Sequence, residues 1–373
     1  MPAIDLDGAR RALDVLLERI PHEHDGAQLY VSLGGDVVLD EAVGEASPGV
    51  PMTPDHITLW FSSGKPLTAV AVARLWEAGL LSLDDRVARF IPEFAAAGKD
   101  AVTIRHVLTH TGGFRKIPAR MRFWDWDEQV RAVCETPAEW PAGKFAGYHP
   151  ASGWVVLAEI VRRVDGRRID EYLAQDVLGP LGMTSTRLGI PPDEQSRLGP
   201  LIAHAHPKNP APQYAVASWN EPQGLSAVHP GGGMRGPARE LGLFYECLLC
   251  GGEPLLRPQT VEALVATHRV NRMDHTFGVA VPWGLGFVRY GIRPVAPIGG
   301  PRSFGHGGHS SSIGYADPEA GLVVALVTNG LPGAVEHDRR VRAVIKTIYG
   351  AIDGLPDYDG GNGPGPVSLG RDS

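Results

Sequence analysis

Apolar residues in this 373-residue chain recur with two periods, and the order of those periods predicts its architecture. Ala9 to Ile20 repeats at helical spacing with one apolar and one charged face. Gln28 to Leu33 and Val37 to Gly44 follow as two strands of a hairpin around Gly34-Gly35-Asp36. After the apolar run Ile57 to Phe61, a stretch reaching about Gly79 sets Leu67, Val70, Ala71, Leu75 and Ala78 at helical spacing, which predicts a buried central helix. From Asp84 to Pro222 the pattern is helical and loop-rich, punctuated by Pro, Trp and Gly. Glu240 to Leu249 is again helical. Ser310 to Ala316 and Leu322 to Thr328 alternate or run apolar around a turn at residues 317–321, and Val335 to Ile352 reads as a helix packing on that sheet.

These elements predict an α/β (α+β) protein. Residues 1–83 and 223–353 build a sandwich of sheet and helices from both chain ends, and residues 84–222 form a mainly helical inserted lobe, with the candidate site between them. Residues 354–373, rich in Gly, Pro and Asp, read as a flexible tail. With 43% hydrophobic and 21% charged residues, the chain can bury a substantial core. A net charge of −7 provides no basic surface for nucleic acid. No run approaches the roughly 18 apolar residues that span a bilayer, and residues 1–11 lack a basic-then-apolar secretory pattern, so a cytoplasmic location with no membrane partner is expected. Cys134, Cys247 and Cys250 are an odd set without a disulfide framework; Cys247 and Cys250 end a helical pattern and read as small hydrophobes, not as a redox pair.

Candidate chemistry begins at Ser62-Ser63-Gly64-Lys65. A serine three residues before a lysine shares its helix face. A desolvated, neutral amine there can take the hydroxyl proton as the oxygen attacks a carbonyl. Ser62 is expected where the helix begins, so its unpaired N–H and the positive helix end can receive an oxyanion. Six lysines and sixteen serines would produce roughly a quarter of such a match by chance. On the tetrad alone a capping serine followed by a solvated lysine is the better-fitting reading, so context decides.

That context is a succession of motifs. Ser62 to Lys65 runs into Pro66-Leu67-Thr68 and later Leu80 to Asp85. Val102 to Phe114 contains His106-Val107-Leu108-Thr109-His110-Thr111-Gly112-Gly113, Gly147-Tyr148-His149-Pro150 precedes Trp154 to Ile160, and Phe304-Gly305-His306-Gly307-Gly308-His309 precedes Gly314 to Glu319. Tyr148 follows Ser62 by 86 residues and His306 by 244. In content, order and spacing, residues 25 to 350 resemble the serine β-lactamase and penicillin-binding-protein family, specifically its class C, esterase and transacylase relatives. The resemblance implies the β-lactamase/transpeptidase-like fold, Ser62 as nucleophile, and Tyr148 as proton relay. Lys65 is either the base or the charge that makes Tyr148 one. It further implies the backbone N–H groups of Ser62 and His309 as oxyanion donors, and no metal or organic cofactor.

Departures from the family pattern bear on substrate. Tyr148-His149-Pro150 replaces Tyr-x-Asn, and proline offers neither an amide side chain nor an N–H. His306-Gly307-Gly308 replaces Lys-Thr-Gly, removing the cation and hydroxyl that hold a β-lactam carboxylate. A small-molecule ester is the expected substrate, with a carboxylesterase the leading reading. The alternatives are a natural-product transacylase or amide synthase using an amine or alcohol acceptor, a D-amino peptidase or weak β-lactamase, and an inactive binding protein. His306, Gly307, Gly308, His149, Trp124 and Trp126 are expected to line the pocket, the paired glycines letting substrate lie along the strand edge. His106 and His110 lack the glutamate of His-Glu-x-x-His and read as packing and capping residues, His306 with His309 falls short of a metal site, and His204 and His206 read as loop residues. Trp219 and the glycine-rich run Pro230 to Pro237 read as support for the site.

Overall fold

The computed structural model describes residues 3–118, 121–208, 216–289 and 299–355. The expected flexible tail lies, from residue 356 onward, outside the described residues. Helix α1 spans Leu6–Leu17, earlier than its periodicity suggested, because the Asp5 carboxylate accepts the Asp7 N–H and starts the helix there. Strands β1 (Gly26–Leu33), β2 (Asp36–Ser47) and β3 (Val50–Pro51) follow. Helix α2 spans Lys65–Glu77, α3 Ser152–Asp165 and α4 Ala238–Leu249. The chain closes with β4 (Val288–Arg289), β5 (Phe304–Gly308), β6 (Ser312–Asp317), β7 (Leu322–Thr328) and α5 (Ala334–Gly350). α5 stops before Ile352 because that residue bridges to Ile4. His206 is not in a loop: His206–Pro207 pairs in parallel with Gly330–Leu331.

The seven strands form one antiparallel sheet in the order β4-β5-β6-β7-β1-β2-β3, so the two chain ends interleave at its centre. β7 reads as an unbroken apolar run because it is covered on both faces. Leu322, Val324 and Leu326 pack with α1 and α5 through Ala12, Leu16, Val344 and Ile348. Val323, Ala325 and Val327 belong to the opposite core, which includes Leu241, Phe244 and Tyr245 of α4. That second core continues through α2 and α3 into the helical region. Every residue of α2 from Lys65 to Ala73 is buried, so its first turn is held on all sides.

Candidate active site

Ser62 is not on the α-helix. It lies in a 3₁₀ turn, Phe61–Gly64, and α2 begins at Lys65. Residues i and i+3 eclipse in a 3₁₀ turn, so this geometry stacks the two side chains more directly than an α-helix would. Phe61 holds φ at 48°, an unusual backbone state for a bulky residue, immediately before the serine. The first hydrogen bond of the turn runs from Ser63 N–H to the Trp60 carbonyl, which leaves the Ser62 N–H ahead of the ladder.

Ser63 ties this turn to the sheet. Its Oγ donates to the His306 carbonyl (3.0 Å) and lies 2.9 Å from Ser312 Oγ, which donates to the Trp60 carbonyl (2.6 Å). Gly308 has a different purpose from the one expected of it. A Cβ there would overlap the Trp60 carbonyl oxygen and Ser312 Oγ, so its bareness admits the turn carrying Ser62, not substrate. Gly307 faces the other way, where a Cβ would meet nothing closer than the Ser312 carbonyl at 3.7 Å.

Two side chains converge on Ser62. Lys65 Nζ lies 2.8 Å from Ser62 Oγ, and Tyr148 OH lies 2.9 Å from the same oxygen. Lys65 is fully buried, its other hydrogen-bond partner is the Gly231 carbonyl, and the Tyr148 and Trp154 rings lie 5.3 and 5.5 Å away. Burial pushes the amine well below the ordinary lysine range. Burial likewise raises the Tyr148 hydroxyl, opposed by its bond to Ser62. Both environments therefore favour uncharged partners: a free amine and a protonated phenol.

Tyr148 is placed by a buried ionic hub that the sequence does not announce. Asp274 Oδ1 accepts the N–H groups of Tyr148 (3.0 Å), Thr276 (2.8 Å) and Phe277 (3.2 Å), while Oδ2 pairs with Arg269 (2.9 Å). Arg269 also donates to the carbonyls of Thr109 and Val281, and Trp283 stacks on the Tyr148 ring at 5.8 Å.

His306 is buried beside the Tyr148 and Trp283 rings, with Nδ1 2.7 Å from the Gly307 carbonyl. Burial depresses it to about 3, so the imidazole is neutral. His309 is exposed, and its ring contacts Phe61 at 5.5 Å. His149 does not face the pocket. It is wholly buried, its Nε2 accepts the Phe114 N–H (3.2 Å), and its own N–H is taken by His110 Nδ1 (3.1 Å). His106 forms a capping box with Thr103. Trp126 is also turned away: its indole N–H donates to Glu159 (2.8 Å) and its ring packs on the interior of the helical region. Trp124 lies at the surface, 39% exposed. The aromatic group beside Ser62 is instead Phe61, Trp219 and Phe123, with the Arg122 guanidinium 5.4 Å from the Trp219 ring.

Residues 13–347 match the Beta-lactamase family. The chain belongs to that family. Among similar proteins, the esterase/beta-lactamase LipL of Mycobacterium tuberculosis is 28% identical, over 82% of this chain and 77% of its own. Esterase EstB of Burkholderia gladioli is 27% identical, over 88% of this chain and 92% of its own. A family VIII carboxylesterase of known structure shares the fold with a TM-score of 0.82 at 24% identity, covering 94% of this chain and 98% of that one. This member of the Beta-lactamase family is a serine hydrolase or acyltransferase with the β-lactamase/transpeptidase-like fold. Among the described residues, no helix is long and apolar enough to cross a membrane.

Proposed function

We propose that the chain is a carboxylesterase acting on small uncharged esters through an acyl-Ser62 intermediate. The observation that carries this reading is the shared approach of a fully buried Lys65, whose amine burial holds well below the ordinary lysine range, and of Tyr148 to one serine oxygen, at 2.8 and 2.9 Å. As Ser62 Oγ bonds to the ester carbonyl carbon, its proton passes to Lys65. The oxyanion is received by the Ser62 and His309 N–H groups. On collapse, the carbon–alkoxide bond breaks and Tyr148 protonates the leaving alkoxide, the proton held by Lys65 restoring the phenol. Water then attacks the acyl carbon, gives its proton to the same pair, and releases acid and free Ser62.

The choice of an uncharged ester is supported by His306. A neutral imidazole stands on β5 where a substrate carboxylate would need a cation. The test is intact mass after a p-nitrophenyl ester and, separately, a fluorophosphonate, on the native chain and on Ser62→Ala. An adduct present only on the native chain supports the reading, and its clearance by water or by added amine separates esterase from transacylase. No adduct on the folded native chain sinks it and favours a binding protein.

A further inference from the structure

The turn that carries the His309 N–H joins β5 to β6. Ser311 N–H donates to the Gly308 carbonyl (2.9 Å), closing a four-residue turn with His309 and Ser310 at its corners. Ser310 holds φ at 56°, a left-handed conformation that a serine keeps only under outside constraint. The two carbonyls after His309 are both clamped. The Ser311 carbonyl accepts Thr328 N–H (2.8 Å) and Oγ1 (3.1 Å), which belongs to the sheet. The Ser310 carbonyl accepts Nη2 of Arg340 (3.0 Å), a fully buried residue of α5. The same guanidinium reaches His337 Nδ1 (2.9 Å), the Glu23 carbonyl (3.2 Å) and His24 Nδ1 (3.1 Å). Four neutral acceptors on three separate segments match the fixed fork of an arginine and exceed what one ammonium can span.

We propose that Arg340 is a positioning residue for the oxyanion site, holding Ser310 in the left-handed state so that the Gly308–Ser311 turn presents the His309 N–H to the reacting carbonyl oxygen. This inference rests on the acyl-Ser62 reading. Arg340 acts from behind the turn, while Phe61, the residue before the nucleophile, contacts the His309 ring in front of it. Released from Arg340, Ser310 relaxes toward negative φ, and the neighbouring amide leaves the position the oxyanion requires.

The test compares p-nitrophenyl acetate hydrolysis by the native chain, Arg340→Gln, Arg340→Lys, and each of these variants combined with Ser310→Gly. Arg340→Gln should lower kcat about tenfold or more with KM changed less than about twofold, the signature of a contact made in the transition state. Adding Ser310→Gly should recover at least about threefold in kcat, because glycine adopts that φ unaided. A merely structural arginine would not be rescued at residue 310. Should Arg340→Gln fail to fold by circular dichroism, Arg340→Lys with and without Ser310→Gly carries the same comparison. An arginine variant within about twofold of native kcat, or a double variant no faster than its single parent, overturns the proposal. If mass spectrometry shows that native Ser62 is never acylated, the acyl-enzyme reading fails first and this one falls with it, whereas acylated native protein with an inert residue 340 sinks this one alone.

Discussion

Replacing Asp274 by alanine should separate stability from catalysis. Asp274 is wholly buried and Arg269 nearly so, and the carboxylate receives three backbone N–H groups besides the guanidinium. Each charge-assisted bond is worth about 1.5–3 kcal/mol, but a straight sum overshoots because water enters the space left behind. The stranded guanidinium sets the scale: breaking one side of a buried ion pair costs about 3–5 kcal/mol, a large share of the 5–15 kcal/mol typical of a folded chain. Asp274→Ala should therefore lose about 3–5 kcal/mol in urea unfolding followed by circular dichroism. Asp274→Leu combined with Arg269→Met removes both charges and should recover the part of that loss due to the stranded guanidinium, but not the part due to the backbone N–H groups left without an acceptor. Activity should not recover with it, because the Tyr148 N–H has still lost its acceptor and the phenol is no longer aimed at Ser62. Esterase kcat in the double variant should stay at least about tenfold below native. A loss under about 1 kcal/mol in Asp274→Ala, or native kcat in the double variant, would refute the account of the hub.

Three further outcomes follow from the site. Lys65→Met should abolish ester turnover, by on the order of a thousandfold or more, yet leave the chain as stable or more so at neutral pH. The folded amine is depressed and the unfolded one is not, so the native chain's penalty is greatest at low pH and fades as pH rises toward the ordinary lysine value; unfolding measured across pH 6–10 should show the difference shrinking. His149, buried as a neutral acceptor and depressed to about 3, contributes stability that is present above about 6.5 and lost as pH falls toward 3, since only the unfolded state takes the proton there. His149→Gln should flatten that acid limb by about 1.4 kcal/mol per pH unit, and an unchanged slope would show that this histidine does not titrate on unfolding. Gly308→Ala should displace the nucleophile turn from β5 and cut kcat at least about tenfold, read as slower fluorophosphonate labelling of Ser62; native labelling would mean that the approach is looser than described.

Sequence alone determined what depends on local periodicity and short spacing. The apolar run of β7 signalled a strand, and the buried α2 was legible in the spacing of Leu67, Val70, Ala71 and Leu75. Ser62 and Lys65 could be paired because residues three apart meet on any helical turn. The order and spacing of the later motifs brought Tyr148 and the His306 strand into consideration through a family resemblance, not through any local rule. Tertiary structure decided everything that depends on which surfaces meet. A period reports that a residue is buried but not what it is buried against, so His149 and Trp126, plausible as pocket residues by their neighbours in sequence, turn inward to Phe114 and Glu159. Gly308 looked like room for substrate, whereas only the docked turn reveals that Trp60 and Ser312 need the space. The Gly231 carbonyl, the Asp274–Arg269 hub and Arg340 lie 166, 126 and 30 residues from the Lys65, Tyr148 and Ser310 groups they hold. Hydrogen bonds over such separations have no period to read, because their geometry exists only after the distant segments have packed together.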